Sequence, residues 1–226
     1  MGAISLEKFD HLFWLGRYTE RVFSTLRAFC NYYDDMIDKD ENKYREFCDK
    51  LDIPDIYGSK EIFINKYLFD KTNPNSISSS MIRAFDNAVV MRKELTTETL
   101  SYIQLSLNEL EKCKESDAPL IGLQHVIDWI FAFWGSVDDN VESEKLRNII
   151  KCGRYIERVD LYCRLSYSQA EIIKEFNKLK NRITKIGMPY NEALILRLDK
   201  IINDEEVLKN NYFTIVGNLS KVLEVI

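Results

Sequence analysis

Residues 16–22, GRYTERV, return at residues 153–159 as GRYIERV, six letters of seven the same. No other feature restricts the fold of this chain as tightly. Around the first copy, Leu12, Leu15, Gly16, Thr19, Val22, Phe23, Leu26, Cys30 and Tyr33 recur at i, i+3, i+4, i+7 spacing, the signature of one helix face. The flanks are hardly polar, with Phe13, Trp14, Tyr18 and Phe29, so this helix is expected at the centre of a fold. A glycine inside a helix costs about 1 kcal/mol against alanine. Gly16 and Gly153 are therefore read as the place where two long central helices approach backbone to backbone. Beyond the seven letters, Leu12 answers to Ile149, Phe13 to Ile150 and Arg27 to Arg164, an approximate internal repeat.

Charges on such helices need partners, because an isolated buried ion is far costlier than any one contact is favourable. Arg17 and Arg21 stack at i, i+4 with Glu20 on the adjacent flank, and Arg154, Arg158 and Glu157 repeat the layout. Two arrangements satisfy them. Glu20 meets Arg158 while Glu157 meets Arg21, forming a lattice that fixes helix register. Alternatively, the four arginines converge on a cleft and hold a carboxylate or phosphate, with Glu20 or Glu157 as orienter or base. Tyr18 and Tyr155 belong to the same cassettes and are core first and pocket lining second.

Elsewhere the pattern is helical throughout. Ser5 is a candidate N-cap for a helix running to about Ile37. Short helices are expected over Lys43–Leu51 and from Ser59 to Leu68, and then DKTNPNS at residues 70–76 is a loop. Ser78, Ser79 or Ser80 starts a helix continuing to Leu95. Thr96 or Thr97 starts the next, to about Lys114, and ESDAP ends it before an apolar helix from Pro119 through Phe133 or beyond. SVDDNVESE reads as a polar connection. Glu144 to Ile186 reads as one very long helix stopped by Gly187 and Pro189, followed by helices over about Tyr190–Ile202 and Tyr212–Val225. No alternating strand emerges, and only 8 Gly and 4 Pro punctuate the chain, so the expectation is an all-α bundle in a single domain spanning residues 1–226.

Composition removes several function classes. A net charge of −5 argues against nucleic acid, and the basic run Lys174, Lys178, Lys180, Arg182 and Lys185 is read as a solvated helix face. Five cysteines without paired spacing fit reduced thiols in a cytoplasm. No signal peptide and no run of about 18 apolar residues is found, so a soluble cytoplasmic protein without a membrane span is expected. Two histidines, His11 and His125, leave no room for a His-rich metal site, and His125 with Asp128 is a weak pair. No Gly-rich phosphate loop or Cys–His–Asp order points to a cofactor. Asp34, Asp35 and Asp38 have the DDxxD spacing that holds Mg²⁺ in all-α prenyl-diphosphate enzymes, with Asp138, Asp139 and Glu142 as the facing cluster. The first cluster falls at the expected end of its helix and the second in the expected polar connection, so solvated acid is the favoured reading of both.

LFWLGRYTERVFSTLRAF and NIIKCGRYIERVDLYCRL resemble the two signature helices of the alpha-E family, an all-helical family with a repeated Glu-Arg motif. LFDKTNPNS at 68–76 and AFDNAVVMRKELTTE at 84–98 resemble its Asn-Pro loop and following helix, placing Asp70, Asn73, Pro74, Ser76, Asn87, Arg92 and Glu98 in matching positions. Asn73, Ser76, Asn87 and Arg92 thereby join the candidate substrate-binding set. The resemblance implies an ATP-grasp-type partner and a role in peptide or amide-bond modification, with a peptide or small carboxylate as substrate. A non-catalytic scaffold that docks such a partner remains the rival reading.

Overall fold

The computed structural model describes residues 4–116 and 119–223. Among these, ten α-helices and one 3₁₀ turn, Ser220–Val222, make up the fold, with no strand. The first helix, α1, spans Leu6–Asp38 under an N-cap from Ser5, whose Oγ accepts from the Lys8 amide at 3.3 Å. Helices α2 (Lys43–Leu51) and α3 (Lys60–Phe69) are short, and α3 is capped by Ser59. Helix α4 (Ile77–Val90) begins at an Ser76 N-cap, slightly earlier than the serine run alone indicates, and stops at Val90 rather than Leu95. Thr96 caps α5 (Thr97–Lys114). Part of the ESDAP stretch, Asp117 and Ala118, lies outside the described residues.

Helix α6, Pro119–Asn140, runs through the segment expected as a polar connection, so Asp138 and Asp139 are helical. It is the one described helix long and apolar enough to cross a membrane. Here it lies along α5 with Leu123, Ile130, Phe133 and Val137 fully buried. Its acidic end is held down from α7 by Lys151, whose Nζ pairs with Asp138.

The larger correction concerns the second long helix. It ends at Arg164, giving α7 (Glu144–Arg164), and the chain turns back through Ser166, whose φ of 59° is left-handed, into α8 (Gln169–Ile183). Ser168 and Glu171 form a capping box: the Ser168 Oγ accepts from the Glu171 amide at 3.4 Å and the Glu171 carboxylate accepts from the Ser168 amide at 3.1 Å. The Ser-x-x-Glu spacing was present in the sequence, but neither Gly nor Pro announced the break. Ser168→Ala should cost about 1 kcal/mol, read as a lower urea midpoint with an unchanged slope. Helices α9 (Glu192–Asn203) and α10 (Glu205–Leu219, irregular at Asn211) close the fold; α10 starts seven residues before the expected Tyr212, because Asp204 caps it.

The principal interface is α1 against α7, flanked by α4 on the α1 side and α8 on the α7 side. Buried apolar side chains from all ten helices form one connected core. At the crossing the two glycines do the same thing for each other. A Cβ on Gly16 would overlap the Ile150 carbonyl oxygen and lie 3.1 Å from the Arg154 amide nitrogen; one on Gly153 would overlap the Phe13 carbonyl oxygen and lie 3.1 Å from the Arg17 nitrogen. The contact is reciprocal.

Candidate functional site

One turn past each glycine, the side chains of one helix reach the other. Glu157 accepts from Arg17 Nε at 2.7 Å and from Arg21 Nε at 2.5 Å. Glu20 accepts from Arg158 Nε at 2.7 Å and Nη2 at 2.8 Å, and from Arg154 Nε at 3.2 Å. The guanidinium carbons lie over rings supplied by the same helices or by α6. Arg17 covers Trp14 at 4.9 Å, Arg21 covers Tyr18 at 5.7 Å, Arg158 covers Phe23 at 5.6 Å and Arg154 covers Trp134 at 4.3 Å. The expected pairs Glu20–Arg158 and Glu157–Arg21 are both present.

The two ends of this lattice are not equivalent. Glu20 is fully buried and also accepts from Ser24 Oγ at 2.6 Å, so both its oxygens are occupied and no ligand reaches it. Its partner Arg158 turns its remaining Nη1 to a second carboxylate, Glu175 of α8, at 3.4 Å, which Lys178 holds in turn at 2.7 Å. The Arg158 guanidinium is stabilised in its charged form: burial opposes the charge, and Glu20 and Glu175 more than offset it. Arg154 goes the other way, its charge disfavoured by burial more than Glu20 restores.

At the Glu157 end a cavity of about 240 Å³ opens between α1 and α7. Arg17, Arg21 and Glu157 line it, together with Asp160, Arg164 and the α2 terminus at Leu51–Ile53. Among the described residues Glu157 accepts only the two Nε–H bonds, and Leu161 stands where Ser24 stands at the other end. Among the described residues Arg17 and Arg21 use only Nε, and their four Nη nitrogens have no hydrogen-bond partner. The Arg21 side chain is 32% exposed, toward the cavity it lines, while Arg17 is buried. Burial works against ionisation of Glu157, yet Arg21 and Arg17 hold its carboxyl below the ordinary range. Arg21 is reciprocally held charged, first of all by Glu157.

Asp160 and Arg164 were not singled out as site residues from sequence. They sit one and two turns beyond Glu157, paired at 2.6 Å, and Arg164 also reaches the Leu51 carbonyl at 3.5 Å. Burial, and then the Glu157 charge, push the Asp160 carboxyl above its usual range despite Arg164. A raised folded-state value means the ionised form weakens the fold once the pH rises through it. Asp160→Asn should therefore raise the thermal midpoint at pH 7, and the gain should shrink as the pH falls toward 4.

The remaining sequence candidates lie elsewhere. Tyr18 and Asn87 line a shallow cleft of about 430 Å³ with His11, which shares a 2.8 Å hydrogen bond with Asn87 Oδ1. Tyr155 is buried between Arg154 and Lys178. Asn73 and Ser76 shape the loop before α4: Asn73 donates to Tyr57 Oη at 3.2 Å, and Ser76 donates to the Asp70 carbonyl at 2.6 Å while capping α4. Arg92 is exposed in a separate cleft beside Lys8 and Glu94. Asp34 and Asp38 are exposed and Asp35 pairs with Lys39, and among the described residues no group of three acidic, His or Cys side chains is placed to hold a metal ion. His125 lies beside Glu109 at 3.6 Å, not Asp128. The basic run of α8 and the turn after it is spent largely on neighbours, Lys178 on Glu175, Lys180 on Asp199, Lys185 on Glu144. All five cysteines are free thiols.

The paired Glu-Arg letters and their helices coincide with a known domain. The Alpha-E family, described as a predicted alpha-helical domain with a conserved ER motif, matches residues 8–190. The chain belongs to the Alpha-E family. No curated protein and no solved structure matches it. The Alpha-E match takes in both cassettes, α8 with its Glu175, and the loop before α4, so every residue of the lattice and of the adjoining cavity lies inside the Alpha-E region.

Proposed function

We propose that this Alpha-E chain works in the cytoplasm beside an ATP-grasp-type partner in peptide or amide-bond modification, and that the Glu157 cavity receives an anionic group of the substrate. One observation carries the reading: Arg17 and Arg21 hold Glu157 through Nε alone and keep their outer nitrogens for something else, next to an open cavity. In this role Arg17 and Arg21 bind a carboxylate or phosphate as planar donors. Glu157 orients them; a carboxyl held below its ordinary range is a poorer base than a free one. Glu20, Arg154 and Arg158 keep the two long helices in register behind the site.

A second reading, a docking subunit without chemistry of its own, is favoured by the sealed end of the lattice, where Arg158 has no nitrogen to spare. The test is co-expression with the ATP-grasp protein, followed by ATP-dependent ligation assays on peptides with wild type and Arg21→Gln. Turnover lost with the complex intact supports the binding role. Turnover unchanged with the complex intact leaves the docking reading, and absence of any complex removes the partner from both.

A further inference from the structure

The proposed anion pocket has an internal standard for Arg21, because at the other end of the lattice Arg158 shows the same geometry already occupied, while Arg154, the counterpart of Arg17, likewise gives only Nε. Arg158 and Arg21 occupy the same letter of the two cassettes, and each gives Nε to the opposite glutamate at 2.7 and 2.5 Å. Arg158 then gives Nη1 to the Glu175 carboxylate. No described residue supplies Arg21 with an equivalent; the space beside it is the cavity. Resting on the anion-pocket reading and narrowing it, we infer that this cavity is a seat for the carboxylate of a small acid or of a peptide C-terminus, docked on the Arg21 and Arg17 outer nitrogens as Glu175 docks on Arg158.

The charge at the cavity favours a monoanion over a dianion. Its three guanidinia, Arg17, Arg21 and Arg164, already face three carboxylates, Glu157, Asp160 and Asp52, the last mostly exposed and 3.8 Å from Arg164. The fewer negative charges a guest brings to such a balanced set, the less it is repelled. A phosphate near its dianionic form would bring a surplus charge against Glu157 and Asp160, both nearly buried, where repulsion is poorly screened. The cavity volume of about 240 Å³ is below the usual range for drug-sized ligands and fits a few heavy atoms beyond the carboxylate. Asn75, Ser80 and Thr25 line its walls and give it polar sides. Arg17 is a buried residue whose Nη nitrogens have no hydrogen-bond partner among the described residues, and it lines both this cavity and a neighbouring one beside Phe9, Asp10 and Trp14.

The test follows the arginine Nε–H resonances of the intact, isotopically labelled protein, assigned by single Arg→Lys variants, during titration with propionate, N-acetyl-alanyl-alanine, the amide of that peptide, and inorganic phosphate. The expected result is a saturable shift of Arg21 and Arg17 with the two carboxylates, with Arg154 and Arg158 unmoved and the amide silent. Arg21→Gln should weaken the carboxylate by about tenfold or more. The peptide binding markedly tighter than propionate assigns the seat to a chain terminus; equal affinity assigns it to a small acid. Saturation by phosphate with silent carboxylates overturns the carboxylate assignment and leaves the anion pocket standing. No movement of Arg21 with any probe overturns both, and equal movement of Arg158 overturns the asymmetry on which the inference stands.

Discussion

Glu20→Gln is expected to destabilise the fold by about 3–5 kcal/mol, the range for breaking one member of a buried ion pair. Glu20 is fully buried and accepts four hydrogen bonds, three of them from Arg154 and Arg158, and the neutral amide would leave Arg154 without a carboxylate and Arg158 with Glu175 alone. Glu157→Gln should cost less, about 2 kcal/mol, because Arg17 and Arg21 border an open cavity and can take an anion from solution. Added chloride or sulfate should recover part of the Glu157→Gln loss and none of the Glu20→Gln loss. Urea melts of the two variants across a salt series decide this; equal salt recovery would contradict the sealed-versus-open description. The acid limb gives a second check. Glu157 is depressed below its ordinary 4.5, so its contribution is complete above the unfolded-state value and disappears as the pH falls through the lower folded-state value. Wild type should lose stability below about pH 4.5 more steeply than Glu157→Gln does.

Gly16→Ala has the next largest expected effect. Alanine gains about 1 kcal/mol of helix propensity over glycine. Against this, the new methyl would overlap the Ile150 carbonyl, a backbone group that can move only with all of α7. Overpacking of this kind costs about 3 kcal/mol, so the loss exceeds the gain by about 2 kcal/mol or more. Gly153→Ala should behave alike, since its methyl meets the Phe13 carbonyl. Gly135→Ala and Gly217→Ala are the controls: nothing lies within 4 Å of either added carbon, and each should stabilise by up to about 1 kcal/mol. Thermal midpoints moving down for the first pair and up for the second are the expected pattern. A rise with Gly16→Ala would mean that the helices do not cross at that residue.

The central pairing was legible in the sequence because it rests on local rules. Glycine at mid-helix forecasts contact, i, i+4 spacing places the arginines, and apolar flanks force the charges to pair. The difference between the two ends was not legible, for two reasons. The apolar periodicity of residues 144–186 continues through Ser166 without Gly or Pro, so one helix was expected where the Ser168 cap makes two, and Glu175 was then unavailable to Arg158. The cavity also owes its walls to Leu51–Ile53 and Ser80, which come from α2 and α4 and meet α7 only through tertiary packing. Asp160 carried a faint signal. It stands where the first cassette has Phe23, one of the few positions at which the two copies exchange an aromatic ring for a charge. The family-matched residues Asn73 and Ser76 proved to be turn and cap groups for the same reason that makes them common in loops.

The overlap that any methyl would create at Gly16 or Gly153 bears on how far a guanidinium must extend. With the two helix axes held that near, side chains one turn away meet their opposite numbers without stretching; with bulkier residues at the crossing, the same arginines and glutamates would fall short and face solvent separately. Spacer and charges are thus one inseparable unit of seven positions, and a variant that keeps the ions but widens the gap should forfeit the ions as well.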